Sequence, residues 1–219
     1  MRRALYWLLD LLYPRRCVLC HDFLERNHTD FCPACREALG KQKLKVRKAE
    51  FFTLCIAPFS YEGKVRESML RYKFGGLQVY CHAYGRLLAP VILRELADSY
   101  DLISWAPLSR DRLRRRGYDQ AKLLARAVGR ELRKPVVPLL KKRRKTKAQS
   151  GIANAAERRA NISGAYSLRK HADVAGRRVL LIDDIYTTGA TLSECSRILR
   201  MGGAADVVCA TLAATPQKR

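Results

Sequence analysis

Two adjacent carboxylates and a run of hydroxyl side chains lie together near the end of the sequence. Asp183 and Asp184 follow four apolar residues, and the Thr- and Gly-rich segment 187–191 comes next. Hydroxyl donors, and a glycine that permits close backbone approach, are suited to a phosphate at a helix N-terminus. The acids repel that phosphate, but they can accept hydrogen bonds from neighbouring sugar hydroxyls or help to hold a divalent cation. The pattern therefore predicts a site for a ribose that carries a 5-phosphate.

The elements around this segment place it at a sheet edge. Apolar residues 179–182 predict a buried parallel strand that ends at the acids, and a helical pattern begins after the loop. Ligands of open α/β sheets bind at the carboxyl ends of the strands. A strand that ends in acids but binds no ligand is the alternative. The residues predicted to hold the phosphate are Thr187, Thr188, Gly189, Ala190 and Thr191.

Residues 179–191 resemble the ribose-phosphate signature of type I phosphoribosyltransferases. They depart from it at Tyr186, where that family usually has an aliphatic residue. The resemblance implies an α/β fold with a parallel sheet flanked by helices, in which Asp183 and Asp184 orient the ribose. Such enzymes transfer ribose 5-phosphate to a nitrogen nucleophile and release pyrophosphate, usually with magnesium.

A second group of candidate residues is basic and follows the predicted buried strand 102–106. Ser109 and Arg110 are followed by Arg112 and Arg116. Because the planar guanidinium group binds phosphate oxygens in pairs, these residues predict a pyrophosphate site if their strand neighbours the one that carries the acids. The resemblance assigns that role to Ser109 and Arg110. A solvated basic loop is the alternative.

A third segment, residues 141–147, holds six basic residues around Thr146 and predicts a mobile loop or arm. Two interpretations stay open. The loop closes over a bound phosphosugar, as in the resembled enzymes, or it follows a nucleic-acid backbone. The candidates in and after this loop are Lys142, Arg144, Thr146 and Gln149.

Four aromatic side chains near basic residues are candidates for stacking on nucleobases. They are Tyr72, Phe74, Trp105 and Tyr118. For Phe74 and Trp105 we favour packing in the core over stacking.

Four of the eight cysteines form two CxxC pairs separated by eleven residues. They are Cys17, Cys20, Cys32 and Cys35. Two such pairs supply the four sulfur ligands of a structural zinc site. A redox motif or a pair of disulfides is the alternative. The other four cysteines occur singly in apolar surroundings, which favours a reducing cytoplasm.

The whole chain has 219 residues, a net charge of +23 and a pI near 10.2. Such a surface implies an acidic partner, which is nucleic acid, nucleotide phosphate or anionic lipid. No transmembrane span is expected, since no apolar run approaches about 18 residues. Leu5, Leu8, Leu9 and Leu12 recur at helical spacing, so we expect an amphipathic helix that packs on the next module, with peripheral membrane contact as the alternative.

Three further segments resemble ComF/ComFC proteins. Arg116 to Gln120 is similar to the RGFNQ segment of that family, with Asp119 where Asn is usual, and residues 70–74 are similar to its Lys-aromatic segment. The third segment has the spacing of that family's basic loop and following helix, at Lys142, Arg144, Thr146, Gln149, Arg158 and Asn161. With the cysteine module, the resemblance covers almost the whole chain. We expect a helix and zinc-ribbon-like module over residues 1–45 and a phosphoribosyltransferase-like domain over residues 46–219.

This resemblance implies a cytoplasmic protein of DNA uptake in natural transformation, with the inner face of the membrane as an alternative location. Its implied partners are phosphoribosyl pyrophosphate or a related nucleotide, single-stranded DNA, and proteins of the uptake machinery. Its implied ions are structural zinc, and magnesium bound with phosphoribosyl pyrophosphate. The alternative function is an active phosphoribosyltransferase, a pentosyl-group glycosyltransferase with an unidentified nitrogen acceptor.

Overall fold

The computed structural model describes residues 14–25, 27–143 and 162–216. The strands of these ranges are β1 (Lys45–Ala49), β2 (Phe52–Ala57), β3 (Phe59–Ser60), β4 (Leu102–Trp105), β5 (Leu140–Lys142), β6 (Tyr166–Leu168), β7 (Arg178–Tyr186) and β8 (Asp206–Ala214). The helices of these ranges include α1 (Pro33–Gly40), α2 (Gly63–Phe74), α3 (Tyr80–Glu95), α4 (Arg110–Arg116), α5 (Gln120–Leu132) and α6 (Ala190–Met201).

The main sheet has the strand order β1-β2-β8-β7-β4, and β3 also pairs with β8. Strands β2, β8, β7 and β4 are parallel, while β1 is an antiparallel edge strand. Strands β5 and β6 form a separate antiparallel pair. Because helices cover both faces of a parallel sheet, its central strands are apolar along most of their length. The predicted α/β fold with a mostly parallel sheet is confirmed.

Alternating side chains of β7 serve two separate apolar cores. Leu180 and Ile182 belong to a core built with α2, α3, α5 and the cysteine module. Val179 and Leu181 belong to a core built with α6 and the β5–β6 pair. The strand that carries the two acids is therefore fixed from both sides.

Two strands differ from their sequence-based limits. The strand before the acids was predicted to end at residue 182, but β7 continues to Tyr186, and Ile185 and Tyr186 pair with Ala213 and Ala214 of β8. The acids therefore lie within the strand. The apolar pattern of residues 54–60 predicts a single strand, but the segment divides at Pro58 into β2 and β3, since proline has no N–H group for a ladder bond.

Two helices were also incompletely predicted. The sequence pattern predicts a helix over residues 79–97 with a kink or break at Pro90; α3 covers Tyr80–Glu95 and includes Pro90, so the helix is not broken there. The helix packs closely on α5 at Gly85, where an added Cβ would come within 2.7 Å of the Ala127 Cβ. The basic segment after β4 forms the short helix α4, with Ser109 as its N-cap and Gly117 in the left-handed region at its end.

Candidate functional site

The two acids of β7 have different surroundings. The Oδ2 atom of Asp184 lies 3.0 Å from the Nζ atom of Lys73, and both side chains are 15% exposed. The backbone N–H of Asp184 donates to Oδ1 of Asp183 at 2.8 Å. Burial, and next the charge of Asp184, raise the pKa of Asp183 well above the ordinary carboxyl value. Sequence reasoning missed Lys73 as a site residue, although it had noted the segment 70–74 as a resemblance.

The Thr/Gly segment forms a turn into the N-terminus of α6. Gly189 is the N-cap in the left-handed region, with φ of 75°, and its carbonyl accepts the N–H of Ser193 at 2.8 Å. The Oγ1 atom of Thr188 is buried and has no hydrogen-bond partner. A buried polar atom without a partner costs about 1–3 kcal/mol. The first amides of a helix also lack partners within the helix, so this turn is suited to an anionic acceptor.

Tyr186, the departure from the phosphoribosyltransferase signature, lies against this turn. A Cβ added at Gly189 would stand 2.4 Å from the Tyr186 hydroxyl oxygen and 2.6 Å from its Cζ. Thr215, just after β8, donates from its backbone N–H to the Tyr186 carbonyl at 2.9 Å and from its hydroxyl to the Thr187 carbonyl at 3.2 Å. Position 189 therefore requires glycine for two reasons: the backbone is left-handed, and the Tyr186 ring leaves no room for a Cβ.

The loop after β4 reaches the same edge of the sheet, because β4 pairs with β7 up to Trp105 and Ile182. Ser109 is 8% exposed, and its hydroxyl accepts the N–H of Arg112 at 3.4 Å. The pyrophosphate prediction required the strand before Ser109 to neighbour the strand that carries the acids, and β4 and β7 are neighbours. Arg110 is exposed at the start of α4, while Arg112 is partly buried.

Asp119 connects this loop to α5. Its carboxylate accepts the N–H of Leu108 at 3.0 Å and the N–H of Lys122 at 3.1 Å. Burial raises the pKa of Asp119, and these two amides oppose the shift. The role needs acceptor oxygens and no amide donor, so Asp in place of the usual Asn is compatible with this geometry.

Arg116 and Lys142 each contact an aromatic ring. The Cζ atom of Arg116 lies 4.7 Å from the centroid of Phe74. Burial lowers the pKa of Arg116, and the charge of Asp184 opposes that shift. Lys142, in β5, donates from Nζ to the Tyr166 hydroxyl at 3.1 Å.

The remaining candidates of the basic loop, Arg144, Thr146 and Gln149, lie outside the described residues, and so do Arg158 and Asn161 of the segment that follows it. So does the predicted N-terminal amphipathic helix with Leu5, Leu8, Leu9 and Leu12.

The four aromatic candidates separate into core and surface. Tyr72, Trp105 and Tyr118 are 0%, 8% and 6% exposed, so the preference for core packing of Trp105 is confirmed. Phe74 is 66% exposed, and the same preference was wrong for it. Phe74 is the last residue of α2. The preceding Lys73 holds this helix terminus at the sheet edge through its ion pair with Asp184.

The four cysteines of the CxxC pairs come together as predicted. The sulfur atoms of Cys17, Cys20, Cys32 and Cys35 all lie within 4.8 Å of one another. The Cys20 and Cys32 sulfurs are 3.8 Å apart, and a tetrahedral zinc with bonds of about 2.3 Å separates its sulfurs by about 3.8 Å. The sulfur set is therefore suited to structural zinc.

The cysteine module is attached to α2 and α3 by polar contacts. The Ser68 hydroxyl donates to the Val18 carbonyl, and Nη2 of Arg71 donates to the Leu19 carbonyl at 2.5 Å. Both carbonyls lie in the turn between Cys17 and Cys20. Nδ1 of His21 pairs with the Tyr80 hydroxyl at 2.9 Å.

Two family models match separate segments of the chain. The family model described as a phosphoribosyl transferase domain matches residues 114–219, and the one described as a double zinc ribbon domain matches residues 8–46. Competence protein ComFC of Bacillus subtilis (strain 168) is 27% identical over 216 residues, which cover 93% of this chain and 87% of that protein. The chain is therefore similar to ComF/ComFC proteins over almost its whole length.

Two other competence proteins show the same similarity. Competence protein ComFC of Streptococcus pneumoniae (strain ATCC BAA-255 / R6) is 29% identical over 199 residues, covering 87% of this chain and 84% of that one. Competence protein F of Haemophilus influenzae (strain ATCC 51907 / DSM 11121 / KW20 / Rd) is 42% identical over 103 residues, covering 46% and 44%. Within the described ranges of the chain, no helix has the length and apolar character to cross a membrane.

Proposed function

We propose that the protein binds phosphoribosyl pyrophosphate, or a related nucleotide, at the carboxyl edge of β7, and handles single-stranded DNA during DNA uptake. The observation that carries the first half is the buried, unpartnered hydroxyl of Thr188 beside the left-handed Gly189. An anion seated on this turn would accept from the hydroxyl and from the first amides of α6. The role in uptake is supported by relatives that are named competence proteins.

The proposed ligand extends from this turn along the sheet edge. Its 5-phosphate lies at residues 187–191, and its ribose hydroxyls donate to Asp183 and Asp184. Its pyrophosphate lies toward Ser109 and Arg110, on the loop that follows the neighbouring strand β4. Lys73 offsets the charge of Asp184 near the phosphates.

Magnesium is expected to accompany phosphoribosyl pyrophosphate, because it is a hard cation that binds carboxylate and phosphate oxygens. The two acids of β7 are the described residues suited to hold it. When bound, it would neutralise part of the pyrophosphate charge.

Calorimetry with phosphoribosyl pyrophosphate and magnesium tests the ligand. The double variant Asp183→Asn/Asp184→Asn should lose binding. The control Asp98→Asn/Asp173→Asn makes the same change of net charge on loops outside β7 and should bind as the wild type does. A wild-type protein that binds neither phosphoribosyl pyrophosphate nor a nucleoside 5-monophosphate would overturn the proposal.

Filter binding of single-stranded DNA over a range of salt concentrations tests the DNA half. The net charge of +23 supports electrostatic binding that weakens as salt increases. Binding that does not respond to salt, or no binding at low salt, contradicts this half and leaves the nucleotide half unaffected.

The second candidate function is an active phosphoribosyltransferase. It is supported by the match of the phosphoribosyl transferase domain to residues 114–219. In this case Arg110 and its neighbours stabilise the leaving pyrophosphate while the acids orient the ribose. Release of pyrophosphate with any member of a panel of bases and amines would establish it. Silence across the panel, with ligand binding intact, favours the binding protein.

A further inference from the structure

Phe74 presents an aromatic ring beside the proposed ribose site. It is the last residue of α2 and is 66% exposed. The preceding Lys73 makes the 3.0 Å ion pair with Asp184, so this end of α2 stands at the edge where the acids lie. Tyr72, the residue before that, is fully buried and anchors the helix in the core.

Arg116 supports the ring from one side. Its guanidinium carbon lies 4.7 Å from the Phe74 centroid, at the distance of a cation–π contact. Arg116 is partly buried at the end of α4, and Gly117 follows in the left-handed region. The contact restricts the orientation of Phe74 and leaves most of the side chain accessible.

The position of this supported ring indicates what it receives. A single exposed apolar side chain needs no explanation by itself, but Phe74 stands next to acids that are suited to ribose hydroxyls. A nucleobase is bonded directly to the ribose, so a ribose at Asp184 carries its base close to this part of the edge. Every nucleobase has a π face that can stack on an aromatic ring.

The geometry points to Phe74, supported by Arg116, as the surface that stacks on the base of a bound nucleotide. This inference rests on the proposed function and narrows its ligand to a nucleotide with a base, such as a nucleoside 5-monophosphate. Phosphoribosyl pyrophosphate has no base and would not use the ring. Phe74 determines specificity in this scheme and touches no reacting atom.

Calorimetry of the full-length, zinc-loaded protein tests the inference, with adenosine 5-monophosphate and phosphoribosyl pyrophosphate as separate probes. Phe74→Ala should weaken binding of the monophosphate by about 5- to 100-fold and leave binding of phosphoribosyl pyrophosphate within about two-fold of wild type. Phe74→Tyr should keep both affinities. The control Leu93→Ala removes another exposed apolar side chain, on α3, and should change neither.

The possible failures are distinguishable. If the wild type binds neither probe, the proposed function fails and this inference fails with it. If it binds phosphoribosyl pyrophosphate, and Phe74→Ala has no effect on the monophosphate or weakens both probes equally, only the inference is overturned. The same holds if the wild type does not bind the monophosphate. Circular dichroism and zinc content identify any variant that has lost its fold.

Discussion

At the scale of single residues, Asp183 and Gly189 occupy positions that folding alone does not favour. Asp183 is a carboxylate whose burial and acidic neighbour oppose ionisation. Gly189 combines a left-handed backbone with an aromatic ring where a side chain would stand. Such strained or disfavoured positions cluster at binding sites, where they are retained for function. Substitutions at both positions should therefore have measurable effects on stability.

Asp183→Asn should stabilise the protein increasingly as pH rises. The folded state holds the Asp183 proton more tightly than the unfolded chain does, so the wild type loses stability as pH rises above the ordinary value of 3.8. Asn cannot ionise, and its carbonyl oxygen can still accept the Asp184 N–H. Denaturation between about pH 4 and about pH 7 should show a growing stability advantage for the variant.

Asp101→Asn is the matched control, for which the stability difference from wild type should change with pH in the opposite direction. Hydrogen bonds from Arg178 lower the pKa of Asp101 to about 2, so the wild type gains stability from this group as pH rises above the ordinary carboxyl value. The control should therefore become less stable than wild type toward neutral pH. A constant stability difference for Asp183→Asn would contradict the prediction.

Gly189→Ala should destabilise the protein more than Gly176→Ala. Both glycines have positive φ, 75° and 68°, but an added Cβ at Gly176 meets no atom within 4 Å. The control thus isolates the backbone cost, about 1–2 kcal/mol, and Gly189→Ala should cost about 1–3 kcal/mol more through its clash with Tyr186. Urea denaturation measures both. Adding Tyr186→Leu should remove the excess cost, and an excess that persists would show that the ring is not its source.

At the scale of elements, α2 connects the zinc module to the acid pair. Ser68 and Arg71 hold carbonyl groups of the Cys17–Cys20 turn, and Lys73, two residues further on, pairs with Asp184. The module therefore contributes to the position of the helix end at the candidate site. The polar contacts of the module with α2 and α3 differ in burial. Because buried contacts contribute more to stability than exposed ones, mutation of each contact should change the free energy of unfolding by a different amount.

Arg71→Ala should cost more stability than Arg86→Ala. Arg71 is partly buried and donates to the Leu19 carbonyl, a charged hydrogen bond worth about 1.5–3 kcal/mol. Arg86 makes two hydrogen bonds to Asp30, but its side chain is 48% exposed, and surface pairs contribute about 0–1 kcal/mol. Chemical denaturation of the zinc-loaded variants compares them. An equal or larger loss for Arg86→Ala would contradict this ranking.

At the scale of the whole molecule, part of the excess positive charge lies on exposed arginine side chains beside the candidate site. Arg110, Arg114 and Arg115 of α4 are exposed, next to the loop that follows β4. A strand of DNA that crosses this edge would meet these side chains close to the candidate site. The charge on α4 is therefore expected to contribute to salt-dependent binding.

Arg114→Gln/Arg115→Gln should reduce the salt dependence of single-stranded DNA binding. If each arginine neutralises one phosphate, the slope of log K against log salt should fall by about 1.4. Arg126→Gln/Arg130→Gln removes the same charge from exposed positions along α5 and should change the slope less. Equal changes for both variants would indicate that total charge, and not the position of α4, governs binding.

The sequence by itself determined the local chemistry of this protein. The two CxxC pairs predicted the sulfur cluster, and the apolar runs predicted the parallel strands. The amphipathic pattern over Gln120–Leu132 predicts a helix with the limits that α5 has. These features follow from spacing and side-chain period, which are local properties of the chain. Residue order alone likewise predicted that the Thr/Gly turn follows a buried strand, but the acid pair lies within β7 and not beyond its end.

The tertiary structure alone decided which distant residues meet these elements. It brought Lys73 to Asp184, placed the Tyr186 ring against Gly189, and left Phe74 exposed while its aromatic neighbours became buried. It also continued β7 past the acids, because β8 supplies ladder partners as far as Ala214. Each outcome depends on which side chains packing brings together across the sheet and the helices, and local sequence does not specify those contacts.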